Sequence, residues 1–538
     1  MRRWPSSRTV VVGAAVSAFV VCCVLPVAYL LTVSLSGAEA YSALALDARQ
    51  RGLLYNTALL GMGTALLASA LGVPLGIALA RITLPHRSLL RLALAAPVLL
   101  PPYVAGLAWT YFGSSHGWVT ALTGRDLLST WTYSLPAAIV VLSVVFYPVS
   151  MLATEVAMRR IDGRLEEAGR LVAPPGRVLR RITLPLAAPG VVAAALMIFV
   201  LAVSEFGVPG LLQVRVYTTE VFTAFAALYD FSRAMLLTVP LLLLCLILAA
   251  VAATLLGERL VVTRRSAGTL PAQFDEWRQS ATIGAIAALV VALVLPLVIL
   301  IGEAVKAPSL SVVLAGSGRA IVNSLLLATV GATAVVGVAV WLGYARARAS
   351  GRIGQGADIL FIVLFAVPST IVGVGLIGLW NRPGLLGAVY GTDSMLVLGY
   401  LARFVPIAAL AIAASVRYVP FSHEEAASVS GAGWFRTMRR IVLPQIRLAL
   451  AAAWVIVFVL AFGELGVSIL IAPPGESTLP IRIYTIIANA PPSHVAALAL
   501  LQTAVIFVPL AALGAAVSRR PSARARGVPS VVEGREVR

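Results

Sequence analysis

The sequence predicts an all-α polytopic membrane protein of about twelve transmembrane helices, built as two parallel six-helix repeats. Three observations lead there: the composition, the spacing of uncharged runs and an internal repeat. Of 538 residues, 60% are apolar and 12% charged, with a mean hydropathy of +0.96. A soluble globular protein carries roughly 25% charged residues, so this chain has about half the charge a water-facing surface needs. A single soluble domain, a disordered chain and a disulfide scaffold are excluded. The net charge is +19, but the basic residues are scattered between apolar stretches and form no patch for nucleic acid.

A bilayer core about 30 Å thick needs about 20 apolar residues of helix. Twelve such runs lie between charges: roughly 10–35, 53–80, 92–113, 131–157, 190–213, 234–257, 280–302, 320–345, 359–380, 395–416, 448–472 and 495–517. In hydrocarbon the backbone must satisfy its own polar groups, so each run is expected to be a helix. The first run follows Met1-Arg2-Arg3 and precedes Ala38-Glu39-Ala40, which resembles a signal cleavage site. At 26 uncharged residues it exceeds the roughly 7–15 of a signal's apolar core, so it is read as a span.

Twelve spans put both termini on one side. The loops there (1–9, 81–91, 158–189, 258–279, 346–358, 417–447 and 518–538) hold 31 Arg, against nine basic residues in the opposite loops. Positive loops stay cytoplasmic, which places both termini in the cytoplasm. The basic tail 518–538 is expected to be a disordered flank touching anionic lipid.

Arg supplies 40 of the 41 basic residues. The sole lysine, Lys306, follows Val305, whereas a phosphate-binding P-loop needs Gly-Lys-Ser/Thr. Any ATP that drives this chain is therefore bound by another subunit. Cys22, Cys23 and Cys245 lie within apolar runs, without disulfide or metal spacing. His86, His116, His423 and His494 fall in separate loops, so no metal site is expected. No cluster of nucleophile and base marks an enzyme.

The repeat sets the architecture. Asn56-Thr57…Ala80-Arg81 matches Asn323-Ser324…Ala347-Arg348 at an offset of 267, which also carries Pro101 onto Pro368 and Gly106 onto Gly373. Phe146 and Pro148 match Phe404 and Pro406 at 258, so the loop around 113–130 is nine residues longer than its counterpart. At 259, Arg180-Arg181-Ile182…Leu184-Pro185 matches Arg439-Arg440-Ile441…Leu443-Pro444, and Phe199…Glu205…Gly207-Val208 matches Phe458…Glu464…Gly466-Val467. The expected organisation is a first half 1–257, a linker 258–279, a second half 280–517 and the tail 518–538. Two such halves should enclose a pathway.

The fourth and tenth spans are each followed by an amphipathic loop, 158–189 and 417–447. Each reads as helix, turn, short helix and then Pro at the entrance to the next span, a form suited to docking in a partner's groove. Here the sequence resembles the membrane permeases of binding-protein-dependent, type I ABC importers. Their loop signature is Glu-Ala-Ala, three residues, Gly, nine residues, Ile-x-Leu-Pro. Glu425, Ala426, Ala427, Gly431, Ile441, Leu443 and Pro444 match it. The first copy has Glu167, Ala168 and Pro185, but Gly169 replaces the second Ala and one residue is missing where the signature Gly belongs. The turn is expected from Pro174-Pro175-Gly176 instead.

The resemblance implies that these loops couple the chain to two copies of an ATPase subunit carrying ATP and Mg, with no cofactor on this chain. It also implies an extracytoplasmic solute-binding protein and a bacterial inner-membrane location. Solute would pass by alternating access between the two halves.

Ionisable groups within spans are costly and are usually functional or paired. Glu205 and Glu464 each lie 20 residues beyond their loop proline, about 30 Å of helix at most, in the outer half of the membrane. Arg403 is 14 residues from Arg417, about 21 Å, at a depth from which it could meet Glu464. Two readings stand: the carboxylates line the solute path or its gate, or they satisfy neighbouring helices, with Arg403–Glu464 as a buried pair. Asn56 and Asn323 are expected to bond across helices.

The segments Ser204-Glu205-Phe206-Gly207-Val208-Pro209, Thr218-Thr219-Glu220…Ala234 and Ala472-Pro473-Pro474…Tyr484 look most like the ferric-iron importers. Thiamine and phosphonate importers are the nearest alternatives. A twelve-span secondary transporter would need neither docking loops nor a binding protein.

Overall fold

The computed structural model describes residues 7–36, 47–256, 274–307, 309–475 and 477–518, and its regular elements among these are all helical. Ten helices are long and apolar enough to cross a membrane, and two bent pairs bring the spans to twelve. Most of the linker expected at 258–279, and the tail beyond Ser518, lie outside the described residues.

The third and ninth spans are broken, where a single helix per run is expected from hydropathy. Arg87–Leu99 turns by 87° into Pro102–Thr123, and Gly351–Ala366 by 95° into Ser369–Trp380. The cause is Pro101-Pro102 and Pro368. Proline cannot donate to the preceding turn and forces the residue before it out of helix, so Leu100 and Val367 are extended, at ψ 123° and 125°.

The fifth and eleventh spans are Pro175–Ser204 and Trp434–Phe462, both starting before the apolar runs at 190–213 and 448–472. Pro185 and Pro444 are therefore inside continuous helices, not at their entrances. Each is accommodated by a five-residue π-turn, Leu179–Thr183 and Met438–Val442, directly before Leu-Pro. The same device precedes Leu25-Pro26 and Leu295-Pro296, as Val20–Val24 and Val290–Val294. A π-turn widens the ring at the point where proline would clash with the carbonyl four residues back.

Within each half the second, fourth and fifth spans pack together, as do the eighth, tenth and eleventh. A repeated close contact seals each trio. A Cβ on Gly76 would stand 2.5 Å from the Met151 carbonyl oxygen, and one on Gly343 2.9 Å from that of Ala409. Helix backbones approach this closely only over small residues.

The first span of each half packs on the other half. Phe19 meets Phe361 edge-on at 5.3 Å, the Cys23 thiol donates to the Leu401 carbonyl at 3.4 Å, and the Arg382 guanidinium lies 4.9 Å from the Tyr29 ring. Reciprocally, the seventh span, Arg278–Ala304, presents Glu303 to Trp118, whose Nε1 donates at 2.7 Å. Trp118 belongs to the longer loop of the first half. In that loop Asp126 accepts from the Ser129 hydroxyl at 2.6 Å and amide at 3.1 Å, which holds its carboxyl below the usual range.

Candidate coupling loops and gate

In the second loop, Phe421–Val429 and Trp434–Thr437 are joined by a four-residue turn in which Gly431 takes a left-handed conformation, φ +78°. Only glycine enters that region without cost. Glu425 and Ala426 are exposed while Ala427 is buried. His423, Ala426, Ala427, Ser430, Arg436 and Arg440 line a groove of about 550 Å³.

The first loop makes the same turn differently from the expectation. The helix Gly163–Arg170 stops one residue sooner. Leu171–Pro174 form the turn with no positive φ, and Pro175 and Gly176 already belong to the next helix, Pro175–Val178. Proline suits a first helical position because its missing N–H is not needed there. Glu167 and Ala168 are exposed, and Pro185 lies in the fifth span. Gly169 is buried against the second helix, where a Cβ would come 2.8 Å from Ile182 Cδ1.

The residues that hold the loops to the membrane domain are the glutamates one place earlier. Glu166 receives Arg81 Nη2 at 2.7 Å, with both side chains wholly buried, and the Thr183 hydroxyl at 2.9 Å. Arg81 also donates to the Met158 carbonyl at 3.0 Å. In the second loop Glu424 receives Arg348 Nη2 at 2.6 Å and the Tyr344 hydroxyl at 2.7 Å. Arg348 donates in turn to the Val419 carbonyl at 3.0 Å. Each pair ties a loop helix to the C-terminal end of the second or eighth span. Arg81 and Arg348 occur in the sequence as matched repeat positions, yet nothing local marks them as partners of the loops.

At the other candidate site, Glu205 and Glu464 each follow the last turn of a span and cap the segment that resumes after it. Glu205 Oε1 accepts from the Gly207 amide at 2.9 Å, and Glu464 Oε1 from the Val467 amide at 2.9 Å. Small residues bring the two halves together here: a Cβ on Gly207 would lie 3.4 Å from Leu465 Cδ2, and one on Gly463 3.1 Å from Pro101 Cγ.

Beside the two carboxylates, further contacts cross the seam between halves. The buried Ser369 hydroxyl donates to the Ser204 carbonyl at 3.3 Å. The Tyr103 hydroxyl donates to Gln502 Oε1, whose amide donates to the Phe462 carbonyl at 3.3 Å. Phe206 packs on Tyr484 at 5.3 Å and Phe222 at 4.6 Å.

Arg403 makes no ion pair with Glu464 among the described residues, against the pairing that depth alone suggests. Its Nη1 donates to the carbonyls of Phe365, at 3.0 Å, and Val367, at 2.5 Å. These groups lie at the end of the ninth span's first helix, where the 95° break leaves carbonyls without helical partners. In the first half, Val145 stands at the matching position. There the Tyr147 hydroxyl, two residues on, donates to the Leu94 carbonyl at 2.9 Å.

Asn56 Nδ2 donates at 3.0 Å to the Arg215 carbonyl, in the loop before Tyr217–Phe222, and not to another helix. The matched hydroxyls beside the two asparagines also reach across to a neighbouring backbone. Thr57 accepts from the Tyr217 amide at 3.0 Å and Ser324 from the Leu479 amide at 2.6 Å. Among the described residues no group of three metal-ligating side chains converges.

The family model described as "binding-protein-dependent transport system inner membrane component" matches residues 336–524. The Fe(3+)-transport system permease protein FbpB 2 of Haemophilus influenzae is 23% identical over 445 residues, 81% of this chain and 84% of that protein. A putative ABC transporter permease of Streptomyces antibioticus is 32% identical over 205 residues, 38% of this chain and 86% of its own length. The molybdenum transport system permease protein ModB of Escherichia coli is 30% identical over 158 residues, 28% of this chain and 69% of its own.

Proposed function

This chain belongs to the family of inner-membrane components of binding-protein-dependent transport systems, and from that membership we propose that it admits ferric iron to the cytoplasm. It is a multi-pass permease subunit of an ABC importer, and the family implies a solute-binding protein and an ATPase as partners. In the proposed cycle, one chain supplies both halves of the pathway, 1–257 and 280–517. The loop helices Gly163–Arg170 and Phe421–Val429 dock on two cytoplasmic ATPase subunits. ATP binding with Mg on those subunits draws the loops together and opens the seam outward, where the binding protein releases its solute.

The observation that carries the iron reading is the pair Glu205 and Glu464, one from each half, on either side of the seam. A hard trivalent cation prefers oxygen ligands, and the nearby cationic side chain, Arg403, is committed to backbone carbonyls. The relative from Haemophilus influenzae supports the same reading. An oxyanion cargo is the second reading, favoured by the molybdenum permease relative.

The test is uptake by proteoliposomes holding this chain with its ATPase and binding protein, fed radiolabelled ferric iron or molybdate. ATP-dependent iron uptake, unmoved by a proton ionophore and lowered by Glu205→Gln and Glu464→Gln, is expected. Molybdate uptake, or iron uptake untouched by both variants, overturns the cargo and the gate respectively. For the loops, Glu425→Lys with Gly431→Asp should abolish uptake and ATPase stimulation in protein that still inserts. Normal transport by that variant would refute coupling.

A further inference from the structure

The side of the molecule that carries the loops is not equally charged in its two halves. In the first half two arginines gather on one carboxylate and a third stands close by. Glu155, 3% exposed, receives Arg159 Nη2 at 2.5 Å and Arg91 Nη1 at 3.8 Å, and those two arginine side chains remain 43% and 42% exposed. Arg87, half-buried, lies one helical turn before Arg91 on the helix Arg87–Ala95. It donates one N–H to the Leu79 carbonyl, and its Nε is buried without a partner. Arg81 is already neutralised by Glu166, which leaves three guanidinium charges against one carboxylate.

The repeat supplies an internal control. At the offset of 267, Arg91 corresponds to Asp358, and at 258 Arg159 corresponds to Arg417. In the second half Asp358 takes both Arg346, through Nε at 2.6 Å, and Arg417 at 3.8 Å. Where the second half places a neutralising carboxylate, the first half places another cation.

These arginines lie at the loop-side ends of the third and fourth spans. Arg87–Ala95 is a nine-residue helix that sets Leu89 and Leu92 outward, 67% and 58% exposed, beside Arg87 and Arg91. An interfacial helix with bare leucines and excess arginine fits a ligand having both an anionic head and acyl chains. We infer that Arg87, Arg91 and Arg159 form a site for the phosphodiester headgroup of an anionic phospholipid, on the loop side of the first half only.

The site is tested by native mass spectrometry of the delipidated full chain titrated with cardiolipin, with phosphatidylcholine as the neutral probe. Each cationic side chain near an anionic headgroup contributes about fivefold in affinity. Arg91→Gln should weaken cardiolipin binding about fivefold and Arg91→Lys should retain it. Glu155→Gln, which removes the competing carboxylate, should strengthen it. Arg352→Gln, at an exposed position on the same side of the second half, should leave it unchanged, and inorganic phosphate at millimolar concentration should not displace the lipid. Equal binding by Arg91→Gln and the wild type, equal loss in Arg352→Gln, or displacement by phosphate alone would each overturn the assignment.

Discussion

Arg81 and Glu166 meet at 2.7 Å with no exposure of either side chain, and the contact recurs, 267 and 258 residues later, as Arg348 and Glu424. A buried pair of this kind is costly to break, because removing one partner strands the other's charge. Arg81→Met or Glu166→Gln alone should lower stability by about 3–5 kcal/mol, and the double replacement by clearly less. A double-mutant cycle on thermal unfolding in detergent measures the difference. The single variants should also lose co-purification with the ATPase while still inserting; intact co-purification would separate the pair from coupling.

Glycine has unlike roles in the two loops. Gly431, at φ +78°, should tolerate Ala at a cost of about 1–2 kcal/mol. Gly176, helical and with open space where a Cβ would go, should accept Ala with no loss, or a gain of up to about 1 kcal/mol. Melting temperatures of the two variants side by side decide this, and equal losses would contradict the assigned turns.

The two broken spans are relieved by different chemistry. Tyr147→Phe removes one neutral hydrogen bond and should cost about 0.5–1.5 kcal/mol. Arg403→Gln removes a charged group serving two carbonyls and should cost more, about 1.5–3 kcal/mol per charged bond lost. Denaturant titration of both variants checks the order; the reverse ranking would show that Arg403 is not the cap of its break.

Across the seam, Tyr103 and Gln502 join helices from opposite halves beside Glu205. Tyr103→Phe keeps the ring and deletes the bond, a loss of about 1 kcal/mol. Since that loss falls on the arrangement with the seam closed, basal ATPase activity of the assembled importer should rise without binding protein. Unchanged basal activity would assign the bond to stability alone.

The number of spans, their halving and the positions of the loops are legible in charge spacing and register. Hydropathy weighs residues without regard to chain direction, so the breaks at Pro101 and Pro368 are invisible to it, although both prolines stand out in the repeat. The loop signature draws attention to Glu167 and Glu425, which are exposed. Their neighbours Glu166 and Glu424 are anchors only because a helix brings the C-terminal end of the second or eighth span against that one face. For Arg403, depth suggests a carboxylate, whereas the nearest need is a pair of carbonyls freed by a break that depth does not reveal.

The exchange of first spans has a consequence for biosynthesis. Cys23 waits for Leu401, 378 residues further along the chain, which at about 5–20 residues per second is roughly 20–75 s of translation. Until the eighth and ninth spans are made this helix lacks most of its partners, and a nascent chain arrested before the tenth span would carry Cys23 without its acceptor. Quality-control proteases that survey exposed helix faces would therefore meet this protein's most vulnerable form while its second half is still unmade.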